Sequence, residues 1–412
     1  MYILFDDYSL MMLLINVDLL NAVGLKCELT TCTISDLQSS SETFVYQYLP
    51  NDIQTVVFVN LMVPHVDGSI LDGLGKLRSQ RVYIQQSKDL QQITLTRACS
   101  IATLQISRTG LREIRFEEND KLIHLKIQYS NLMSLPKTVG RLTKLFSLDI
   151  AHSAILHLDL ASFCSSKELH KLTIRQSKLQ FIYINEKIMD CLINVASLDI
   201  SHNQYLAIDL KYFNMFPHIH DINLSSNNIK YLSRMMVSPT LEYLNLAGNR
   251  LTSLDLCEWQ VPNLATLIVG NNFLRTLPKC LENLTNLTVV ELQSNRISFV
   301  SIESFALLSM LRSIDLAENN MTAILLNSTH FPPQLNSLKI HHNHITQLNL
   351  TFIPVQSLEV DVRNNLITCF DVYSTSPAVS AVQMENNPTD CSWTAPQERE
   401  LVKCAKKQDE TC

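Results

Sequence analysis

Apolar positions recur along most of this chain in one frame. Leu241-x-x-Leu244-x-Leu246-x-x-Asn249-x-Leu251 sets it. The same spacing returns at Leu264/Leu267/Val269/Asn272/Leu274, Leu287/Val290/Leu292/Asn295/Ile297, Leu311/Ile314/Leu316/Asn319/Met321 and Leu335/Leu338/Ile340/Asn343/Ile345. Upstream it is carried by Ile219/Ile222/Leu224/Asn227/Ile229 and Val195/Leu198/Ile200/Asn203. Looser copies begin at Leu169, Leu145, Leu122 and Ile101, and degenerate ones near Ser79 and Ile53. Downstream, one more begins near Val355 or Ser357 and a last at Val379. The interval is roughly 21 to 26 residues. Within each copy, apolar and variable positions alternate, which predicts a short strand with two side chains turned inward. One copy cannot bury its own apolar face, so neighbours stack at about 4.8 Å and share a core. The Asn falls where the chain leaves the strand, and its amide can satisfy backbone groups buried there. Leaving one such group unpaired costs about 1–3 kcal/mol. In the early copies that position is Thr109, Ser130, Ser153 and Ser177; from Asn203 to Asn343 it is Asn. A hydroxyl is shorter than an amide and has a single donor. The array before about residue 190 is therefore expected to open more readily.

This frame is the leucine-rich repeat template. It predicts an α/β leucine-rich repeat solenoid, a horseshoe with a concave parallel sheet and cysteine-bearing end caps. The expected division is a leader over 1–24, an N-terminal cap over 25–52, the array over 53–390 and a C-terminal cap over 391–412. Leu10 to Leu20 is mostly apolar, and Ala22-Val23-Gly24 has the small-x-small form of a signal cleavage site. Asp6, Asp7 and Asp18 depart from a basic signal start; initiation at Met11 or Met12, or an apolar strand or helix, is the alternative. No window reaches about 18 continuous apolar residues, so no membrane-spanning helix is expected.

Eleven cysteines punctuate the frame. Cys27 and Cys32 precede the first degenerate copies, and Cys391 and Cys404 follow the last. Cys257 lies 16 residues after Leu241 and Cys280 lies 16 after Leu264, so they hold equivalent places in adjacent coils. Cys164 and Cys191 come five and four residues before the next copy begins. Both pairs fall within disulfide reach if the coils stack; two buried free thiols in each case are the alternative. Cys99 and Cys369 have no evident partner, and Cys412 is a candidate for an intermolecular bridge. Sequons occur at Asn223, Asn283, Asn286, Asn320, Asn327 and Asn349. Cysteines and sequons together point to an oxidising, secretory route and an extracellular, secreted protein.

The net charge of −6, from 33 basic and 39 acidic residues, argues against nucleic-acid binding. Only eight glycines are present, which leaves little room for a glycine-rich phosphate loop. There is no HExxH, GxSxG, Walker or Rossmann motif. His341, His342 and His344 cluster, but strand alternation points neighbours different ways, so they read as surface histidines rather than metal ligands. A non-catalytic protein without cofactor or metal is expected. Outward strand positions are then the default binding surface. They include Lys126, Tyr129, His152 and Arg175 early, and Glu291, Asp315 and Lys339 later. With Arg108 and Lys171 the early stretch tilts basic; with Glu242, Glu318 and Glu359 the later one tilts acidic. The alternative is an ordinary solvated sheet.

The stretch Asn386-Asn387-Pro388-Thr389-Asp390-Cys391-Ser392-Trp393 resembles the C-terminal cysteine cap of the extracellular leucine-rich repeat superfamily, without its usual Cys-x-Cys pair. Leu132-x-x-Leu135-Pro136, Leu274-x-x-Leu277-Pro278 and the loose early coils resemble mosquito leucine-rich immune proteins. Long members of that family add a coiled coil; this chain has no sustained heptads and resembles a coil-less member. The resemblance implies haemolymph secretion, innate immune recognition, and complexes with complement-like or other leucine-rich repeat proteins, with a glycan as a further ligand class. A matrix, adhesion or receptor-like ligand-binding protein is the alternative, and an intracellular scaffold the second.

Overall fold

A computed structural model of the chain describes residues 2–6, 10–14, 23–76, 80–184, 191–402 and 404. It has two compact units: residues 1–204 with 215–218, and residues 205–214 with 219–412. In the N-terminal unit, Tyr2–Asp6, Leu10–Leu14, Gly24–Glu28 and Thr31–Ser35 pair antiparallel in turn. Parallel pairing begins at Thr31–Ser35, inside the segment expected as a cap, with Thr55–Val59 as its partner. It continues through Arg81–Gln85, Thr103–Ser107, His124–Gln128, Ser147–Ala151, Lys171–Arg175 and Ser197–Asp199. In the C-terminal unit the parallel order runs from Asp221–Asn223 and Tyr243–Asn245 to Ser337–Lys339, Leu358–Asp361 and Val379–Gln383. Register follows the sequence frame: Leu104 faces Leu125, and Leu125 faces Leu148. Leu338 faces Val360, which makes Ser357 the start of the coil after Leu335. Ser79, the expected start of one early copy, lies outside the described residues, as does Ala22 of the leader; the strand Arg81–Gln85 follows in frame.

The returning sides of the coils are short. Among the described residues they hold 3-10 turns, one four-residue α-helix (Gly68–Leu71), and parallel strand pairs such as His157–Asp159 with Phe181–Tyr183. The frame's apolar residues are buried in each unit, Leu104, Leu125 and Leu148 in one and Leu244, Leu267 and Val290 in the other.

Coil is tied to coil by the turn residue. The Nδ2 of Asn295 donates to the carbonyls of Leu292 (3.0 Å) and Gln293 (3.3 Å) in its own coil, and to that of Val269 (3.0 Å) in the coil before. Its Oδ1 accepts the Leu274 N–H at 2.9 Å. Asn249, Asn272, Asn319, Asn343 and Asn365 repeat the pattern. The early hydroxyls reach less. Ser153 Oγ meets Ser130 Oγ at 2.9 Å and the Ala151 carbonyl at 3.5 Å. Thr109 Oγ1 is buried with no hydrogen-bond partner among the described residues. One early coil finds another solution. Asn119 donates to the Thr96 and Cys99 carbonyls and accepts from the N–H groups of Lys121 and Leu122, on the side opposite the ladder.

Four disulfides are defined. Cys27–Cys32 closes the first hairpin (Cα–Cα 4.0 Å), and Cys391–Cys404 lies in the C-terminal cap (5.1 Å). Cys164–Cys191 (5.6 Å) and Cys257–Cys280 (4.9 Å) each join neighbouring coils. Cys369, for which the sequence offered no partner, is also disulfide-bonded, so that expectation is corrected; Cys412 lies outside the described residues. Cys99 is free and buried, and burial pushes its thiol up to about 11. Beyond the last strand, Trp393 exchanges backbone hydrogen bonds with Val382 (2.9 and 3.0 Å), which covers the open edge.

Removing the Asn295 amide strands backbone groups in two coils, so Asn295→Ala is expected to lower unfolding stability by about 3 kcal/mol or more, and Ser153→Ala by about 1 kcal/mol. Denaturant unfolding checks the pair, and equal losses would refute the difference in reach. Amide hydrogen exchange is expected to be faster before residue 190 than in the coils carrying the full Asn ladder; equal or greater early protection counts against it.

Candidate binding face

Through Lys171–Arg175 the strands end two residues before the ladder residue and from Ser197–Asp199 onward four before it; in coil after coil the residue directly before the ladder residue adopts a left-handed backbone. Arg108 (φ 54°), Tyr129 (52°), His152 (52°), Gln176 (49°) and His202 (53°) hold this place in the N-terminal unit. Ser226, Gly248, Asn271, Ser294, Glu318, His342 and Asn364 hold it in the other. Left-handed backbone costs an L-residue about 1–2 kcal/mol, and glycine avoids that penalty. Only Gly248 uses the exemption. In the other coils a side chain is retained at the margin of the strand face despite the strain.

In the N-terminal unit those side chains form a stack. The rings of Tyr129 and His152 lie 4.2 Å apart and 7° from parallel, and the Arg108 guanidinium sits 6.0 Å from the Tyr129 ring. Lys126 reaches Asp149 at 3.7 Å in the next strand. Arg175 makes no salt bridge among the described residues, and its Nε is buried without a hydrogen-bond partner. At the strands' entry edge, Phe146 stacks on His170 (4.8 Å) and meets His124 edge-on (6.2 Å). Phe146 and Ile123, both partly exposed, line a groove of about 480 Å³ with Lys121, Lys144 and Glu168. Sequence reasoning passed over Phe146 and His170. The signal was available: both stand directly after the first frame position of their coils.

The C-terminal unit places Glu291, Asp315 and Lys339 side by side on successive strands, with Lys339 Nζ 3.8 Å from Asp315. The ladder continues to Asp361, whose carboxylate takes two bonds from Arg363 (2.9 and 2.7 Å) and lies 3.0 Å from His341 Nδ1. Burial pushes the Asp361 carboxyl up. Hydrogen bonds from the Arg363 guanidinium and N–H, with the charges of His341 and Arg363, outweigh it and hold the group below the ordinary carboxylate value. His341 is thus half-buried against Asp361 rather than a free surface histidine, which corrects the sequence reading; His342 and His344 are exposed. No group of three or more His, Cys, Asp or Glu suited to a metal occurs among the described residues, and no helix there is long and apolar enough to cross a membrane.

Of the sequon residues, Asn223 ends a strand and is half-buried, whereas Asn283, Asn286, Asn320, Asn327 and Asn349 are exposed and off the strands.

Comparison with known proteins agrees with this architecture. The leucine rich repeat family model matches residues 193–251, 262–321 and 285–345. Tsukushi-A of Xenopus laevis is 31% identical over 150 residues, covering 34% of this chain and 42% of that protein. Tsukushi of Xenopus tropicalis is similar at 31%, with 43% of that protein covered. The chain thus spans less than half the length of these curated relatives. Among solved structures, a leucine-rich repeat protein of Leptospira interrogans superposes with a TM-score of 0.61 at 18% identity, covering 82% of this chain and 87% of that one. The LRIM1/APL1C complex gives 0.59 at 16% (86% and 62%), and the APL1 leucine-rich repeat domain 0.58 at 16% (86% and 87%). At these identities the likeness is one of fold. It is the fold of a leucine-rich repeat solenoid, as the repeat frame predicts.

Two outcomes follow from the face's chemistry. A β-branched side chain fits the left-handed place poorly, so Glu318→Val is expected to be about 1–2 kcal/mol less stable than Glu318→Gly by thermal unfolding; equal stability would count against strain there. Because the Asp361 carboxyl is depressed on folding, its contribution is complete above the ordinary carboxylate value of about 3.9 and is lost as pH falls through its folded value. Arg363→Ala removes the main lowering partner. The stability gap between wild type and Arg363→Ala should therefore narrow on acidification below about pH 4, and a gap that widens would reverse the sign.

Proposed function

We propose that this chain is an extracellular, non-catalytic recognition protein that binds an acidic surface of a partner protein on the strand face of its N-terminal unit. The observation that carries this reading is the cluster of cations and rings there. Arg108 lies against the Tyr129–His152 stack, and Lys171 and Arg175 stand at the two ends of the strand that follows His152; none of the three makes a salt bridge among the described residues, in a chain of net charge −6. Arg and Tyr are the residue types enriched at energetic centres of protein interfaces. Stacking fixes the ring positions before binding, which lowers the ordering cost of association. Six disulfide-bonded cysteines from Cys27 to Cys280, and those of the C-terminal cap, suit an oxidising compartment. The fold likeness to the LRIM1/APL1C complex supports innate immune complex formation, with a complement-like or second leucine-rich repeat protein as partner. A matrix or adhesion role is the second reading.

The test uses the full chain made in insect cells. It is expected in the medium with its bridges formed, and its capture of a haemolymph protein should fall at least about tenfold in Arg108→Glu/Arg175→Glu, with unchanged thermal unfolding. Undiminished capture by that variant would place recognition elsewhere. A chain held in the lysate with reduced thiols would overturn the compartment.

A further inference from the structure

All six sequons fall between Asn223 and Asn349, and none occurs in the N-terminal unit. Their local surroundings differ in a way that sorts them. Asn283, Asn320 and Asn327 are exposed, and their side-chain amides are not engaged in any hydrogen bond within the described structure. Asn349 is exposed, and its Oδ1 accepts both the N–H (3.0 Å) and the hydroxyl (2.7 Å) of Thr351, the sequon's third residue. That turn engages only Oδ1 and brings the threonine hydroxyl onto the amide. Two sites are held by the coils instead. Asn286 Nδ2 donates to the Pro262 carbonyl at 2.7 Å, and the hydroxyl of its Thr288 donates to the Ala265 carbonyl at 2.9 Å, both in the preceding coil. Asn223 is half-buried in a strand in register with Asn245, and its Oδ1 accepts the N–H of its own Ser225 at 3.1 Å.

We infer that N-linked glycans occupy Asn283, Asn320, Asn327 and Asn349, leave Asn223 and Asn286 empty, and so coat the flanks of the C-terminal unit while both strand faces stay bare. The inference rests on the extracellular reading, since the modification belongs to the secretory route. In the transfer, Asn Nδ2 attacks the anomeric carbon of a lipid-diphosphate-linked oligosaccharide. A C–N bond forms, the anomeric C–O bond breaks, the lipid diphosphate leaves with that electron pair, and Nδ2 gives up one proton. No electrons are exchanged with an oxidant. A site bonded into the coil before it, or lying in a sheet strand, is out of the transferring enzyme's reach once its coil has formed, whereas the flank sites stay open before and after folding.

The experiment is peptide mapping of the full chain from insect-cell medium after release of its glycans with peptide-N-glycosidase, which leaves Asp wherever a sugar stood. Conversion at the four flank asparagines and at neither Asn223 nor Asn286 is expected. Each single Asn→Gln change at a flank site should remove one glycan mass, whereas Asn223→Gln and Asn286→Gln should leave the intact mass of the glycan complement unchanged. Sugar at Asn223 or Asn286, or any flank site empty in the secreted chain, overturns the sorting. Secreted protein without sugar overturns this inference and leaves the binding proposal standing; an unprocessed chain confined to the lysate overturns both.

Discussion

A buried backbone carbonyl at the end of every strand needs a donor, and the amide that supplies it reaches into the coil before. In the C-terminal unit this single contact sets the pattern for the rest. The ladder amide of each coil holds two carbonyls of its own turn and one of its neighbour's, and receives the N–H of the returning segment. A coil whose turn is held this way cannot shift register without breaking bonds in two places. Apolar residues supply the driving force for stacking, but they do so without direction; the amide supplies the register. From Ser87 to Ser177 in the N-terminal unit a Ser or Thr takes the same place, with Asn203 the first amide, and the stack there leans on other devices: Asn119 on the opposite side, and the Cys164–Cys191 bridge between coils.

Register at the turn is also what builds the face. Because successive strands pair in frame, side chains with the same rank line up on successive coils, and neighbours along the stack interact. Tyr129 meets His152, Lys126 meets Asp149, and Lys339 meets Asp315 for this reason. Each contact joins residues more than twenty positions apart in sequence that nevertheless sit on adjacent strands. The two units use this geometry with opposite charge: cations without salt-bridge partners among the described residues remain around Arg108 and Arg175 in one, while carboxylates such as Glu291, Asp315 and Asp361 dominate the other.

The frame itself was legible in sequence wherever Leu and Asn recur, because burial and amide reach each demand particular residue types. It blurred toward the N-terminus, where hydroxyls replace the amide and apolar residues of several kinds fill the core; there the parallel stack begins at Thr31–Ser35, earlier than the repeats could be counted. The bridges at Cys164–Cys191 and Cys257–Cys280 could be anticipated because frame spacing converts to distance. Cys369 could not, since it belongs to no repeated place. The binding face was legible as a set of outward positions but not as contacts. Nothing in the spacing announces that His341 turns toward Asp361, or that Tyr129 and His152 lie flat on each other, since the direction of those two rings depends on a left-handed backbone that the residue types alone do not specify.

That left-handed residue has a consequence for how such a face can change over time. Its occupants from Arg108 to Asn364 are Asn, Gln, Arg, Tyr, His, Ser, Glu and one Gly, and none is Val, Ile or Thr. Branching at Cβ is what the conformation rejects. Charge, ring and amide are all tolerated. Each coil therefore offers one surface site where chemistry can be exchanged by single substitutions drawn from a restricted alphabet, while the amide beside it stays fixed. A new ligand specificity can arise there without any revision of the scaffold that displays it.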